Sequence, residues 1–224
     1  MKINKIFLKG FIKAKCNLLY RWNVLVFAEI ILMFIILHLE QRQSLVISFI
    51  SILIHEFSHI ILAMMKGSKF NNFQMHIYGA RVDLLDVDEL NYKEKLLIYI
   101  AGPLANICIV FIFMLINYYV SFELYESIVT INIGLAIFNL LPAYPLDGAR
   151  ILEIILSRKM LYKEAQLRIA WISYFIGGAF IVIYLYGVYK YRSINITMLL
   201  VAIIIIYITR TEKKAVMYIL MGNI

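Results

Sequence analysis

One stretch of the chain, Ile54-His55-Glu56-Phe57-Ser58-His59-Ile60, carries three chemistry-bearing side chains at a spacing that a helix turns into a site. On an α-helix, residues i and i+4 share a face, so the imidazoles of His55 and His59 stand about 6 Å apart and can chelate one ion, with Glu56 beside them. This H-E-x-x-H spacing is a zinc signature. The flanking residues are apolar on both sides. Ionisable side chains at bilayer depth cost several kcal/mol unless paired, coordinated or hydrated, and a metal ion supplies that compensation. A polar seam against another helix accounts for the histidines but gives Glu56 no role.

Catalytic zinc takes three protein ligands and keeps a fourth position open, so a further donor must come from elsewhere. Four residues compete for it: Glu29 and His38 in an early apolar run, His76 in an alternating stretch, and Asp147 in Asn139-Leu140-Leu141-Pro142-Ala143-Tyr144-Pro145-Leu146-Asp147-Gly148. Asp147 is the best placed physically. Pro142 and Pro145 interrupt a helix, which at membrane depth is tolerated where backbone lines a cavity, and Gly148 permits close approach.

The elements that must position these residues follow from composition. Of 224 residues, 63% are hydrophobic and only 16% charged, against roughly 45–50% and about 25% in soluble domains. That argues strongly against a water-soluble globular protein. A span takes about 20 residues, and apolar segments near 22–39, 44–65, 95–119, 127–141, 169–189 and 194–209 give an all-α polytopic membrane protein of six transmembrane helices. The first run exceeds a signal-peptide core of about 7–15 residues and has no small-residue cleavage site after it. Around the 22–209 core, residues 1–21 form a basic amphipathic segment and 210–224 a short tail. Cys16 and Cys108 offer neither a disulfide framework nor CxxC spacing, and are expected to be free thiols in a reducing setting.

The formal charge of +8 is a topology signal. Of 22 Lys and Arg, 19 fall in 1–21, 66–95, 150–168 and 210–214, leaving Arg42, Lys190 and Arg192 on the other side. The positive-inside rule then places both termini in the cytoplasm and accounts for the basicity without nucleic acid, with added attraction of the amino-terminal segment to anionic lipid headgroups. Between 70 and 84, apolar Phe73, Met75, Ile77, Val82 and Leu84 alternate with polar residues around Tyr78-Gly79-Ala80. This reads as a short cytoplasmic-side β-hairpin with its turn at 78–80. A lone hairpin is marginal in water, so it should lean on the membrane interface or receive another strand.

The pairing of His55-Glu56-x-x-His59 with Asn139-x-x-Pro142-x-x-Pro145-Leu146-Asp147-Gly148 resembles the site-2 protease family of intramembrane zinc metalloproteases, peptidase family M50. The six spans, the hairpin and the phrase FNLLPAYPLDGARI are most similar to the branch containing stage IV sporulation protein FB, over roughly residues 20–210. The resemblance implies one Zn2+ ion held by His55, His59 and Asp147, with Glu56 as general base, and places Asn139 and Pro145 at positions that engage substrate. Ala101-Gly102-Pro103-Leu104-Ala105-Asn106 is similar to a further family motif, read more simply as small-residue helix packing with an Asn hydrogen bond. Ala149 stands where many members have a second Gly. Some relatives in the branch carry a carboxy-terminal CBS domain; this chain ends at Ile224, so regulation through one is not expected, and the spans leave no room for an inserted PDZ domain.

The expected chemistry is hydrolysis of a peptide bond in a membrane-associated protein. By resemblance the substrate is a sporulation pro-sigma factor, with membrane proteins as inhibitors. The hairpin edge would hold the substrate as an added strand, because a helical peptide hides its carbonyls in i to i−4 bonds. A site-2 protease acting on an anti-sigma factor or a signal-peptide remnant shares every catalytic residue. A non-catalytic membrane scaffold would be indifferent to Glu56, and a metal transporter would need polar residues in several spans, where only Glu29 and Asn106 stand out. Glu29 reads as a packing residue, His38 and His76 as interfacial polar residues, and Tyr184, Tyr186, Tyr189 and Tyr191 as an interfacial aromatic belt.

Overall fold

The computed structural model describes residues 42–76, 79–85, 90–121, 123–192 and 196–220. The expected first span, with Glu29 and His38, and the basic segment 1–21 lie outside the described residues. The described chain is predominantly helical: α1 (Arg42–Met65), a two-stranded ladder of β1 (Lys69–His76) and β2 (Gly79–Leu85), α2 (Tyr92–Tyr119), α3 (Tyr125–Asn139), α4 (Asp147–Leu156), α5 (Tyr162–Tyr191) and α6 (Ile196–Leu220).

Local chemistry sets the boundaries. Gly67, at φ 93°, takes the left-handed conformation that ends α1; its N–H donates to the Met64 carbonyl at 3.0 Å and that of Ser68 to Ala63 at 3.1 Å, satisfying two terminal carbonyls. Helix α2 opens on a capping box. The Asn91 side chain accepts from the Glu94 N–H at 3.1 Å, and the Glu94 carboxylate accepts from the Asn91 N–H at 3.0 Å. Strands β1 and β2 pair antiparallel, from Lys69 opposite Leu85 to His76 opposite Gly79, with an irregularity between Phe70 and Asn72. Gly79 and Ala80 therefore belong to β2 and not to a turn, leaving 77–78, outside the described residues, between the strands.

Among the described residues, three helices are long and apolar enough to cross a membrane: Val46–Met65, Tyr92–Tyr119 and Tyr162–Tyr191. Their surfaces are inverted relative to a soluble protein. Phe49, Phe57 and Ile61 of α1, Phe111 and Leu115 of α2, and Phe175, Val182 and Leu185 of α5 are exposed, whereas Ser51, His55, His59, Asn106, Asn132 and Ser173 are buried. Large outward apolar faces around polar side chains suit a lipid solvent. The expected spans at 127–141 and 194–209 fall on α3 and α6, and α6 continues to Leu220 through residues read from sequence as a tail.

Helix α4 is not anticipated by the sequence pattern, which reads residues after Gly148 as a cytoplasmic loop. It is strongly amphipathic, and burying Ala149 and Glu153 gives it a place in the fold that hydropathy does not signal. Helix α1 packs on α2 and α3, α2 also meets α4, and α5 packs along α6 and against α4. Ala143 and Leu146 pack with Val201 and Ile205, and Tyr144 and Ala149 with Ile169 and Ile208. The segment between α3 and α4 is thus seated on the α5/α6 pair.

Candidate metal centre

His55 and His59 lie on one buried face of α1, each 3% exposed, with ring centroids 4.9 Å apart. His55 is roughly 14 Å along the helix from Val46, at 1.5 Å per residue, so the pair sits near the middle of the apolar span. Asp147 arrives from the first turn of α4 and is 9% exposed. Its Oδ2 lies 3.1 Å from His55 Nε2 and 3.2 Å from His59 Nε2, and the two Nε2 atoms are 3.2 Å apart. Glu56, on the adjacent helical position and partly buried, lies within Coulombic range of all three.

The outward nitrogens decide what the inward ones can do. The carbonyl oxygen of Ile98, 2.6 Å from His59 Nδ1, can only accept, so that nitrogen carries the proton and, in the neutral ring, Nε2 presents a lone pair. His55 Nδ1 lies 2.6 Å from Asn106 Oδ1, with the same consequence for its Nε2. Two imidazole lone pairs and a carboxylate oxygen then face one another, an arrangement that a cation between them satisfies. The spacing fits zinc: ligand bonds of about 2.0–2.1 Å in a tetrahedron set ligand atoms about 3.3 Å apart. The space fits too, since a Cβ built on Gly102 of α2 would fall against the Nε2 atoms of both histidines. Among the described residues, His55, His59 and Asp147 are the group able to hold a metal, with ligand atoms within 4.8 Å of one another.

Asp147 is held in place by its neighbours. A Cβ on Gly148 would come within 2.5 Å of the Leu141 carbonyl oxygen, so only glycine lets α4 start against the preceding backbone. The Tyr144 N–H donates to Ser173 Oγ of α5 at 2.9 Å. Arg150, one turn after Asp147, bridges Glu153 at 2.9 Å and Glu212 of α6 at 3.3 Å, and stacks over the Tyr144 ring at 5.2 Å. Gln166 of α5 donates to Glu153 at 3.1 Å, and the Tyr144 hydroxyl donates to it at 3.3 Å. Burial, then the Glu153 carboxylate, push the Tyr144 phenol above its ordinary value, keeping it a neutral donor.

Of the four competitors for the third position, Asp147 stands against the histidine pair. Glu29 and His38 lie outside the described residues, and His76 closes β1. Asn139 is buried at the end of α3, and Pro145 is partly buried two residues before Asp147. Two features escape the sequence reading. Asn132 is fully buried in α3, and its signal is a single amide in the apolar run Ile131-Asn132-Ile133. The Arg150–Glu153–Glu212 network has only its i, i+3 half visible in sequence.

Fold and site together define a helical membrane protein with a buried His/His/Asp cluster beside a glutamate. The model of Peptidase family M50 matches residues 43–129 and 120–184, and the chain belongs to that family. It is 28% identical over 176 residues to a zinc metalloprotease of Methanocaldococcus jannaschii, covering 76% of this chain and 49% of that protein. It is likewise 28% identical over 128 residues to stage IV sporulation protein FB of Bacillus subtilis, covering 56% and 44%. The chain thus spans about half the length of these curated relatives. The solved site-2 protease from Methanocaldococcus jannaschii shares the fold, with a TM-score of 0.58 and 24% identity over 85% of this chain and 87% of that one.

Proposed function

We propose that this protein is an intramembrane zinc metalloendopeptidase of the site-2 protease type. The observation that carries the reading is the convergence of His55 Nε2, His59 Nε2 and Asp147 Oδ2, 3.1–3.2 Å apart, next to Glu56 on an apolar helix. His55, His59 and Asp147 would hold one Zn2+ ion. When bound, zinc supplies a water acidified toward a pKa of about 7 and polarises the scissile carbonyl.

Glu56 is the general base: its carboxylate takes the proton of the attacking water and passes it to the leaving amine. The substrate backbone is extended at the site, since a helical segment keeps its carbonyls in internal hydrogen bonds. Asn139 at the end of α3 and Pro145 two residues before Asp147 lie on the segment that carries Asp147, which supports a role for both in holding that strand. The β1–β2 edge offers main-chain pairing to the same strand.

Six spans with both termini cytoplasmic, an amphipathic segment 1–21, a 22–209 protease core and a 210–224 tail complete the arrangement. The clustering of 19 of 22 Lys and Arg in the segments that this arrangement puts on one side supports it. Product would then leave toward the cytoplasm. The substrate class is a membrane-associated protein, and likeness to stage IV sporulation protein FB favours a sporulation pro-sigma factor, with membrane proteins as inhibitors. The same residues would serve an anti-sigma factor or signal-peptide remnant. Co-expression of the protein, wild type or Glu56→Gln, with membrane-tethered precursors of each kind tests this. A pro-sigma precursor should be shortened by wild type alone; processing by both proteins would refute the assignment.

A further inference from the structure

Three buried polar side chains on three helices form a circuit that starts and ends on α1. They are Ser51, Asn132 and Asn106, 3%, 0% and 0% exposed. Asn132 Nδ2 donates to the Ile128 carbonyl one turn earlier in α3 at 2.9 Å and to Ser51 Oγ at 3.0 Å. Its Oδ1 accepts from Asn106 Nδ2 at 2.8 Å. Asn106 Oδ1 in turn faces His55 Nδ1 at 2.6 Å, and His55 lies one turn beyond Ser51.

We infer that Asn132, which contacts none of the metal-facing atoms, determines which nitrogen of His55 is free to bind a metal. The inference rests on the metal reading above. An amide has distinguishable ends, and the circuit assigns them in order. The Ile128 carbonyl has no proton to give, so the Asn132 atom beside it is nitrogen and the oxygen must face Asn106. That oxygen can only accept, so Asn106 presents Nδ2 to it and Oδ1 to His55. Oδ1 can only accept, so the His55 proton sits on Nδ1, and Nε2 offers its lone pair toward His59 and Asp147.

Without the acceptor at position 132, nothing holds the Asn106 amide in this sense. A flipped Asn106 would present Nδ2 to His55, whose Nδ1 must then accept, moving the ring proton to Nε2 and aiming an N–H at the ion. His59 is not open to this effect, because its Nδ1 is fixed by the main-chain carbonyl of Ile98. Asn132 is therefore a positioning residue acting through Asn106. Hydrogen-bonded helix packing alone would give Asn132 a stabilising role blind to what occupies position 106.

That difference supplies the test. Zinc dissociation constants are measured by chelator competition on the purified full chain as wild type, Asn132→Leu, Asn106→Asp and the double variant. Asn132→Leu should weaken zinc binding about 10- to 100-fold, the scale of lost support to a ligating histidine. Asn106→Asp offers His55 an oxygen from either end, so it supplies the background in which the His55 tautomer no longer depends on position 132, and its own zinc constant is the reference there. In that background, Asn132→Leu should bring no further loss. Asn132→Ala, which removes the amide without adding bulk, reads the same cycle where the leucine does not fold. Equal weakening by the position-132 change in both backgrounds, or none in either, overturns the inference alone. A wild-type protein that takes up no zinc overturns the metal reading and the inference with it.

Discussion

Gly102 of α2 stands so close to His55 of α1 that a Cβ on the glycine would lie 2.5 Å from the imidazole Nε2, and it would meet His59 Nε2 as well. The missing side chain is the room in which both lone pairs converge. Gly102→Ala should therefore remove zinc binding, lowering affinity by at least about 100-fold if one histidine is displaced. The helix should persist, since alanine is a better helix former than glycine by about 1 kcal/mol. Metal content and circular dichroism of the purified variant check this. Retained zinc would show that the metal-facing space lies elsewhere.

Asp147→Asn tests the third donor. The substitution keeps the shape but replaces an anionic oxygen, 3.1–3.2 Å from both Nε2 atoms, with a neutral amide. Zinc occupancy should fall from near stoichiometric to a small fraction, together with activity. Elemental analysis measures it, and unchanged zinc in the variant would remove Asp147 from the ligand set.

Arg150 lies between two carboxylates and pairs with both, with side-chain exposures of 13% for Arg150, 3% for Glu153 and 7% for Glu212. Arg150→Met removes the cation that both buried carboxylates share, and removal of one partner of a buried pair costs about 3–5 kcal/mol. The expected result is a lower thermal midpoint together with weaker zinc binding, because α4 carries both Arg150 and Asp147. Adding Glu153→Gln and Glu212→Gln should recover part of the loss. An unchanged midpoint for Arg150→Met would mean that the network does not hold α4 in place.

The histidine pair and Glu56 are legible in sequence because a four-residue spacing on a helix has one geometric meaning. Asp147 is legible only as the best of four, since contact between α1 and the start of α4 depends on tertiary packing. Two prolines and a glycine mark the segment around 139–148 as irregular, but they conceal that a helix restarts at Asp147, where Gly148 fits against backbone. Asn132 carries little local signal, because one amide in an apolar run reads as tolerated. Its meaning comes from Ser51 and Asn106 on two other helices. The Glu212 half of the Arg150 network spans 62 residues, which no local periodicity registers.

Deletion of residues 70–84 tests whether substrate holding is separate from metal holding. The ladder follows α1 directly but contributes no atom to the metal-facing trio. Deletion should abolish cleavage of an added substrate while zinc stays near stoichiometric. Loss of zinc together with cleavage would show that the two functions are not separable.

The most direct measurement compares wild type with Glu56→Gln, both purified and reconstituted in lipid vesicles with a membrane-tethered precursor. Cleavage and zinc content are recorded on the same samples. Wild type should hold about one zinc per chain and cut the precursor, and Glu56→Gln should hold the same zinc while losing at least about 100-fold in rate, the contribution expected of a general base. Undiminished cleavage by Glu56→Gln, or cleavage by a wild-type protein that contains no zinc, would contradict the assignment.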